Sequence, residues 1–205
     1  LAKSPISAAF HCAIRLNYVL TFNRYEDLSY SLAYWAANFI EIPKVSNEFT
    51  TLNINLLDMN YLKSYALNHT IPCGNIGVRA IYGMGTPEFD QLFSQLGYKD
   101  GVGLAERFSL SIMEQTLDFT ALHFITGTHA MKKILSYLPE QSRGVIEQTL
   151  MPSLLAGFFS MAGVKKHNVD RGHFMVDKDN CRIKFECPGG GRIEHNYNGK
   201  KCHIY

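Results

Sequence analysis

Residues 104–138 keep apolar side chains at helical spacing for longer than an ordinary globular helix, and no other stretch constrains the fold so strongly. Leu104, Phe108, Ile112, Phe119, Leu122 and Ile125 carry the period. Inside it, residues 119–131 read FTALHFITGTHAM, with two histidines, three threonines and a glycine in what otherwise reads as buried core. Buried polar side chains must find hydrogen-bond partners, so these belong either to the architecture or to a site. Gly127 is the weak point, costing about 1 kcal/mol relative to alanine in a helix interior. It either admits a neighbouring backbone closely or marks a kink or break. The segment is expected to be the helix around which the others pack.

The flanking chain supplies those others. Ser4-Pro5 predicts a helix start running to about residue 22, with serine as N-cap and proline at the first helical position. Asn23 with Glu26 resembles a capping box for a second helix through Leu28, Leu32, Trp35 and Phe39 to just before Pro43. These two read as an antiparallel pair. Residues 47–69 follow a helical period over their second half, and residues 70–74 form a loop around Pro72 and Gly74. Residues 77–85 read as a short helix or an extended connector, and Thr86-Pro87-Glu88 opens a helix to Leu96 that Gly97 ends. A last apolar helix covers residues 141–162, with Pro152 expected to kink or split it. From Lys165 the helical period disappears, residues 182–186 and 192–197 alternate, and Asn198-Gly199 signals a tight hairpin. The expected fold is mainly α, a multi-helix orthogonal or antiparallel bundle over residues 1–164. A small β-hairpin or irregular tail follows over residues 165–205. The chain opens at Leu1 and enters a helix almost at once, as a fragment of a longer protein would.

Bulk numbers exclude several function classes. A hydrophobic share of 46% and a charged share of 19% describe a folded chain. A net charge of +2 without a Lys/Arg run argues against a nucleic-acid partner. No run reaches the roughly 18 uncharged apolar residues of a membrane span. Cys12 and Cys73 read as reduced thiols of a cytoplasmic protein. A homo-oligomer stays open.

Two groups of residues can carry chemistry. His11, Arg15 and Tyr18 fall at i, i+4 and i+7 and share one helix stripe. An imidazole exchanges a proton near neutral pH and a guanidinium holds an oxyanion or enolate, which suits an aromatic substrate with phenol or quinone oxygens. His123 and His129 form the second group, but on one helix they point roughly 120° apart, so they are not a paired-ligand motif. Each is equally readable as a core histidine bonded to a carbonyl or hydroxyl. Gly83-Met-Gly-Thr-Pro-Glu88 has the look of a dinucleotide fingerprint, yet no strand precedes it. The histidines and cysteines of the tail lack the spacing of a zinc knuckle, so no metal site is expected there.

Three blocks resemble the questin oxidase-like family: SPISAAFHCAIRLNY at residues 4–18, SLAYWA at 31–36, and LDFTALHFITGTHA at 117–130. The resemblance covers about residues 4–163, and the chain is identified as a partial or divergent member, family chains being longer at the N-terminal side and different beyond Lys165. It implies an oxidoreductase, an oxygenase of anthraquinone-type or other aromatic polyketides that performs Baeyer–Villiger-like ring oxidation with NADPH. It further implies that His11, His123 and His129 occupy the family's histidine positions, with Arg15 beside the first. The alternatives are a non-catalytic helical protein that binds a hydrophobic ligand or partner subunit, and a histidine-ligated metal protein.

Overall fold

The computed structural model describes residues 1–45, 75–97, 99–116 and 119–162, and the backbone of three short strands between 174 and 196. The expected helix and loop at 47–74 and the Asn198-Gly199 turn lie outside the described residues. The chain forms two compact units, Leu1–Gly163 and Val164–Tyr205.

The first unit is helical, as the periodicity leads one to expect. Among the described residues it holds α1 (His11–Thr21), α2 (Leu28–Ala37), α3 (Ile76–Met84), α4 (Pro87–Phe93), α5 (Gly101–Thr116), α6 (Phe119–Leu135) and α7 (Glu140–Ala162). A 3-10 turn, Tyr25–Asp27, leads into α2. Residues 76–84 are therefore helix rather than connector. Asn75 caps α3 through Val78 N–H at 2.9 Å, and Thr86 caps α4 through Phe89 N–H at 3.2 Å.

The long periodic segment is two helices, not one. Ser109 Oγ meets Thr128 Oγ1 at 3.2 Å, and Lys132 Nζ donates to Glu106 Oε1 at 2.7 Å. Contacts whose positions converge in this way require α5 and α6 to fold back on each other as an antiparallel hairpin. Helix α5 ends at Thr116 and α6 begins at Phe119, well before Gly127. Gly127 lies inside α6 for a different reason: a Cβ there would come within 2.5 Å of the Phe10 ring. It is a notch for a neighbour, not a hinge. Gly157 of α7 plays the same part for Phe124, whose ring would be 2.7 Å from an added Cβ. Phe10 and Phe124 then meet edge to face, with centroids 6.0 Å apart.

The central helix is α7 rather than α6. Residues 149–160 are buried without interruption, the pattern of a helix surrounded on all sides. Helices α3, α4, α5 and α6 all pack on it. Its buried hydroxyls are satisfied locally: Thr149 Oγ1 donates to Val145 O at 2.7 Å and Ser153 Oγ to Thr149 O at 2.8 Å. Pro152 does not split this helix. Its missing N–H frees the Gln148 carbonyl, and Val45 N–H takes that acceptor at 3.1 Å.

The first helix begins later than Ser4-Pro5 suggests. Ala8, Ala9 and Phe10 have φ of 48°, 55° and 68°, a left-handed run that cannot continue into a right-handed helix, so α1 starts at His11. Ser4 and Ser7 are buried and hydrogen-bond each other, and Ile40 N–H donates to Ser4 Oγ at 2.9 Å and to Ser7 Oγ at 3.2 Å. The Trp35 indole donates to Ser4 O at 3.0 Å. The serine is thus a tie to the end of α2, not a helix cap. Asn23 likewise closes α1 instead of opening α2. Its φ is 53°, and Arg24 N–H reaches Val19 O at 2.9 Å, a Schellman closure with asparagine in the left-handed position.

The second unit contains β1 (Phe174–Asp177), β2 (Arg182–Glu186) and β3 (Arg192–Asn196) in an antiparallel sheet of that order. Phe174 pairs with Phe185, and Ile183 with both Val176 and His195. The two alternating runs are strands, and β1 is a third that periodicity did not single out.

Candidate functional site

The left-handed turn aims the start of α1 at α6. One residue past Phe10, His11 Nε2 lies 3.2 Å from His123 Nε2. The imidazole planes cross at 78° with centroids 4.8 Å apart. Gly127, which receives Phe10, is one helical turn beyond His123, so the two contacts are neighbours on one α1–α6 seam. His123 is buried, at 7% exposure, while His11 is exposed.

The hydrogen bonds determine the tautomers. His123 Nδ1 sits 2.9 Å from Phe119 O, and a carbonyl only accepts, so Nδ1 carries the proton. In neutral His123, Nε2 is then the acceptor, and His11 Nε2–H is the donor. That leaves Nδ1 as the one nitrogen of His11 with an uncommitted lone pair. Phe119 also places its ring edge-on to His123, at 4.8 Å and 81°.

His11 opens onto a cleft of about 630 Å³ between α1 and α2. Arg15 and Tyr18 line the same wall, so all three members of the predicted stripe face it. The Arg15 guanidinium carbon stands 4.4 Å from the centroid of the Tyr34 ring, a cation–π contact that restricts the side chain while keeping its charge. Tyr30, Tyr34 and Asp27 form the opposite wall. They were legible as a stripe at i, i+3 and i+7 but were not singled out, because tyrosines on a short helix carry no chemical signature by themselves. Asp27 is held by Arg24 Nη2 at 2.8 Å.

Of the four predicted site residues, three come together and one does not. His129 is exposed, does not line the cleft, and lies roughly 120° around α6 from His123. Cys12, next to His11 in sequence, is buried in the core, and that burial raises its thiol to about 11 against the opposing pull of Arg15.

Burial, then His123, then Arg15 hold His11 below the ordinary histidine value of 6.5, so it is a neutral base at pH 7. The unfolded chain binds this proton more readily than the native one. The stability that neutral His11 supports is therefore complete above about pH 6.5 and is lost as pH falls through the lowered native value. The melting temperature is expected to fall as pH drops through this window, and His11→Gln to flatten that part of the curve. An unchanged slope in the variant would contradict the assignment.

Comparison with protein-family models, with curated proteins and with solved structures gives no match. The NADPH that the resemblance implies does not fit the described residues. Gly83–Pro87 joins two helices, with Thr86 committed to capping α4, and no strand feeds it as a dinucleotide cradle requires. Of the cleft guanidiniums, Arg15 lies over Tyr34 and Arg24 binds Glu26 and Asp27. Among the described residues no group of three or more His, Cys, Asp or Glu is arranged to hold a metal ion, and the side chains of the tail histidines and cysteines lie outside them. Also among the described residues, no helix is long and apolar enough to cross a membrane.

Proposed function

We propose that the α1–α2 cleft binds an oxygenated aromatic ring of the phenol or quinone type, and that the His11–His123 pair exchanges a proton with it. The observation that carries this is the Nε2–Nε2 contact at 3.2 Å beside a tyrosine-walled cleft holding Arg15. His11 Nδ1 takes a hydroxyl proton. Its Nε2–H stays bonded to His123, which holds the ring in place as it takes the proton. Arg15 stabilises the phenolate or enolate that remains, and the tyrosine rings supply flat apolar surface. The cleft volume falls within the range of about 300–1,000 Å³ usual for small-molecule sites.

This chemistry suits the activity that the questin oxidase-like resemblance implies, an oxygenase of anthraquinone-type polyketides. No step is routed through NADPH, since the described residues offer it no matching cradle. The test is a titration with 1,8-dihydroxyanthraquinone, followed by its visible spectrum, alongside NADPH consumption. Binding is expected to shift the spectrum toward the phenolate, and Arg15→Met to remove most of that shift. No binding, or an identical shift in the variant, would sink the proposal.

A second reading, a histidine-ligated metal protein, is favoured by one observation. His123 Nδ1–H is anchored on a carbonyl, as in metal-bound histidines, and its Nε2 would take a metal in place of the His11 contact. Elemental analysis separates the two: a stoichiometric transition metal that is lost in His123→Ala would support it.

A further inference from the structure

The left-handed turn before His11 needs something to hold it. Ala8, Ala9 and Phe10 are three successive non-glycine residues at positive φ, each in a conformation its Cβ disfavours. Strain of this kind persists only where the surroundings over-determine it, and it collects at functional sites. Here two sets of contacts do so. On the N-terminal side, Ser4 and Ser7 are tied to Ile40 and Trp35 is tied to Ser4. On the C-terminal side, the Phe10 ring is fully buried in the Gly127 notch, edge-on to Phe124. His11 follows immediately, and His123 sits one turn before Gly127. The clamp and the histidine contact are thus adjacent on the same two backbones, while only the second opens to the cleft.

We infer that Phe10 and Gly127 are positioning residues for the histidine pair: the ring seated in the notch holds the strained turn and so sets the direction in which α1 presents His11 to His123. The inference rests on the pair being functional only for its meaning, not for its test. Two consequences follow. Shortening the ring lets the turn relax and carries His11 away from His123. Removing the strain removes the need for the clamp.

The measurement is long-range ¹H–¹⁵N NMR of the imidazoles in the full chain, which reads tautomer and titration midpoint without any substrate. The wild-type protein is expected to show His123 protonated on Nδ1, His11 on Nε2, and His11 titrating below 6.5. Phe10→Leu is expected to bring mixed tautomers to His11 and move its midpoint up toward 6.5. Adding Ala8→Gly and Ala9→Gly to that variant is expected to restore the wild-type signature, because glycine adopts the turn without strain. A wild-type signature in Phe10→Leu overturns the inference, as does a lost signature that the glycines fail to rescue. Should Phe10→Leu not fold, the two glycine substitutions alone still decide. They are expected to raise the melting temperature with the signature unchanged, and a lowered melting temperature overturns the strain premise. Because turnover is absent from this test, an intact clamp with no reaction would count against the proposed function alone.

Discussion

Phe124→Ala is expected to lower the unfolding free energy by about 3–5 kcal/mol, as truncation of a fully buried aromatic ring does. The side chain is fully buried: its ring meets Phe10 edge to face and occupies the space that Gly157 leaves in α7. Alanine leaves a cavity facing the Gly157 notch, and the α7 backbone cannot close it without breaking helix hydrogen bonds. Against a total stability of about 5–15 kcal/mol, the loss is a large fraction. Chemical denaturation monitored by circular dichroism should show the midpoint fall. In a domain of this size about 2–4 °C of melting temperature accompanies each kcal/mol. Leu122→Ala, one helical face away and partly exposed, serves as the control and is expected to change stability by less than about 1 kcal/mol. A Phe124→Ala variant as stable as that control would mean that the contacts of Phe124 with Phe10 and Gly157 do not hold the core.

The second large effect concerns chemistry. On the proposed function, His123→Ala is expected to reduce turnover of a dihydroxyanthraquinone by about 10²–10⁴-fold, the usual contribution of positioned acid–base catalysis. The fold should survive, because the imidazole lies at the edge of the core beside exposed Phe119. The pH profile gives the more specific sign. In the wild-type protein the rate is expected to fall on the acid side as His11 is protonated, below 6.5. His123 is one of the causes that lower His11, so removing it moves the acid limb of the residual rate to higher pH. His129→Ala is expected to leave both rate and profile close to wild type, since that ring is exposed and lies outside the cleft. Equal rates in the wild type and His123→Ala, or a loss confined to His129→Ala, would remove the pair from the mechanism.

These expectations depend on placements of unequal legibility. The stripe His11, Arg15, Tyr18 was readable because helix geometry alone puts i, i+4 and i+7 on one face. The divergence of His123 and His129 was readable from the same arithmetic. That His11 rather than His129 would be the partner of His123 was not, for the partner lies 112 residues away in the chain. The role of Gly127 was open for a related reason. A glycine in a helix weakens it whether it serves as a hinge or as a notch, and only the presence of the Phe10 ring distinguishes the two.

The misplaced boundaries share one cause. Ser4-Pro5 and Asn23-Glu26 carry helix-start chemistry, but those side chains went to other uses: Ser4 to the end of α2, and Asn23 to the left-handed closing position of α1. Pro152 is tolerated mid-helix because the freed Gln148 carbonyl meets Val45 N–H, a partner supplied by a distant segment. Local propensity describes what a residue can satisfy nearby, and tertiary contacts offered these residues something better.

Apolar periodicity determined, by itself, that the chain is mainly helical and which faces turn inward, because burying one stripe of each helix is the dominant favourable term. It also determined which polar side chains share a helix face. Only the tertiary structure decided that residues 104–138 fold back as two helices, that α7 is the buried axis, and that His11 meets His123. Those outcomes depend on the shape of what packs opposite, a ring in a glycine notch or an N–H beside an orphaned carbonyl, and such complementarity belongs to two segments at once.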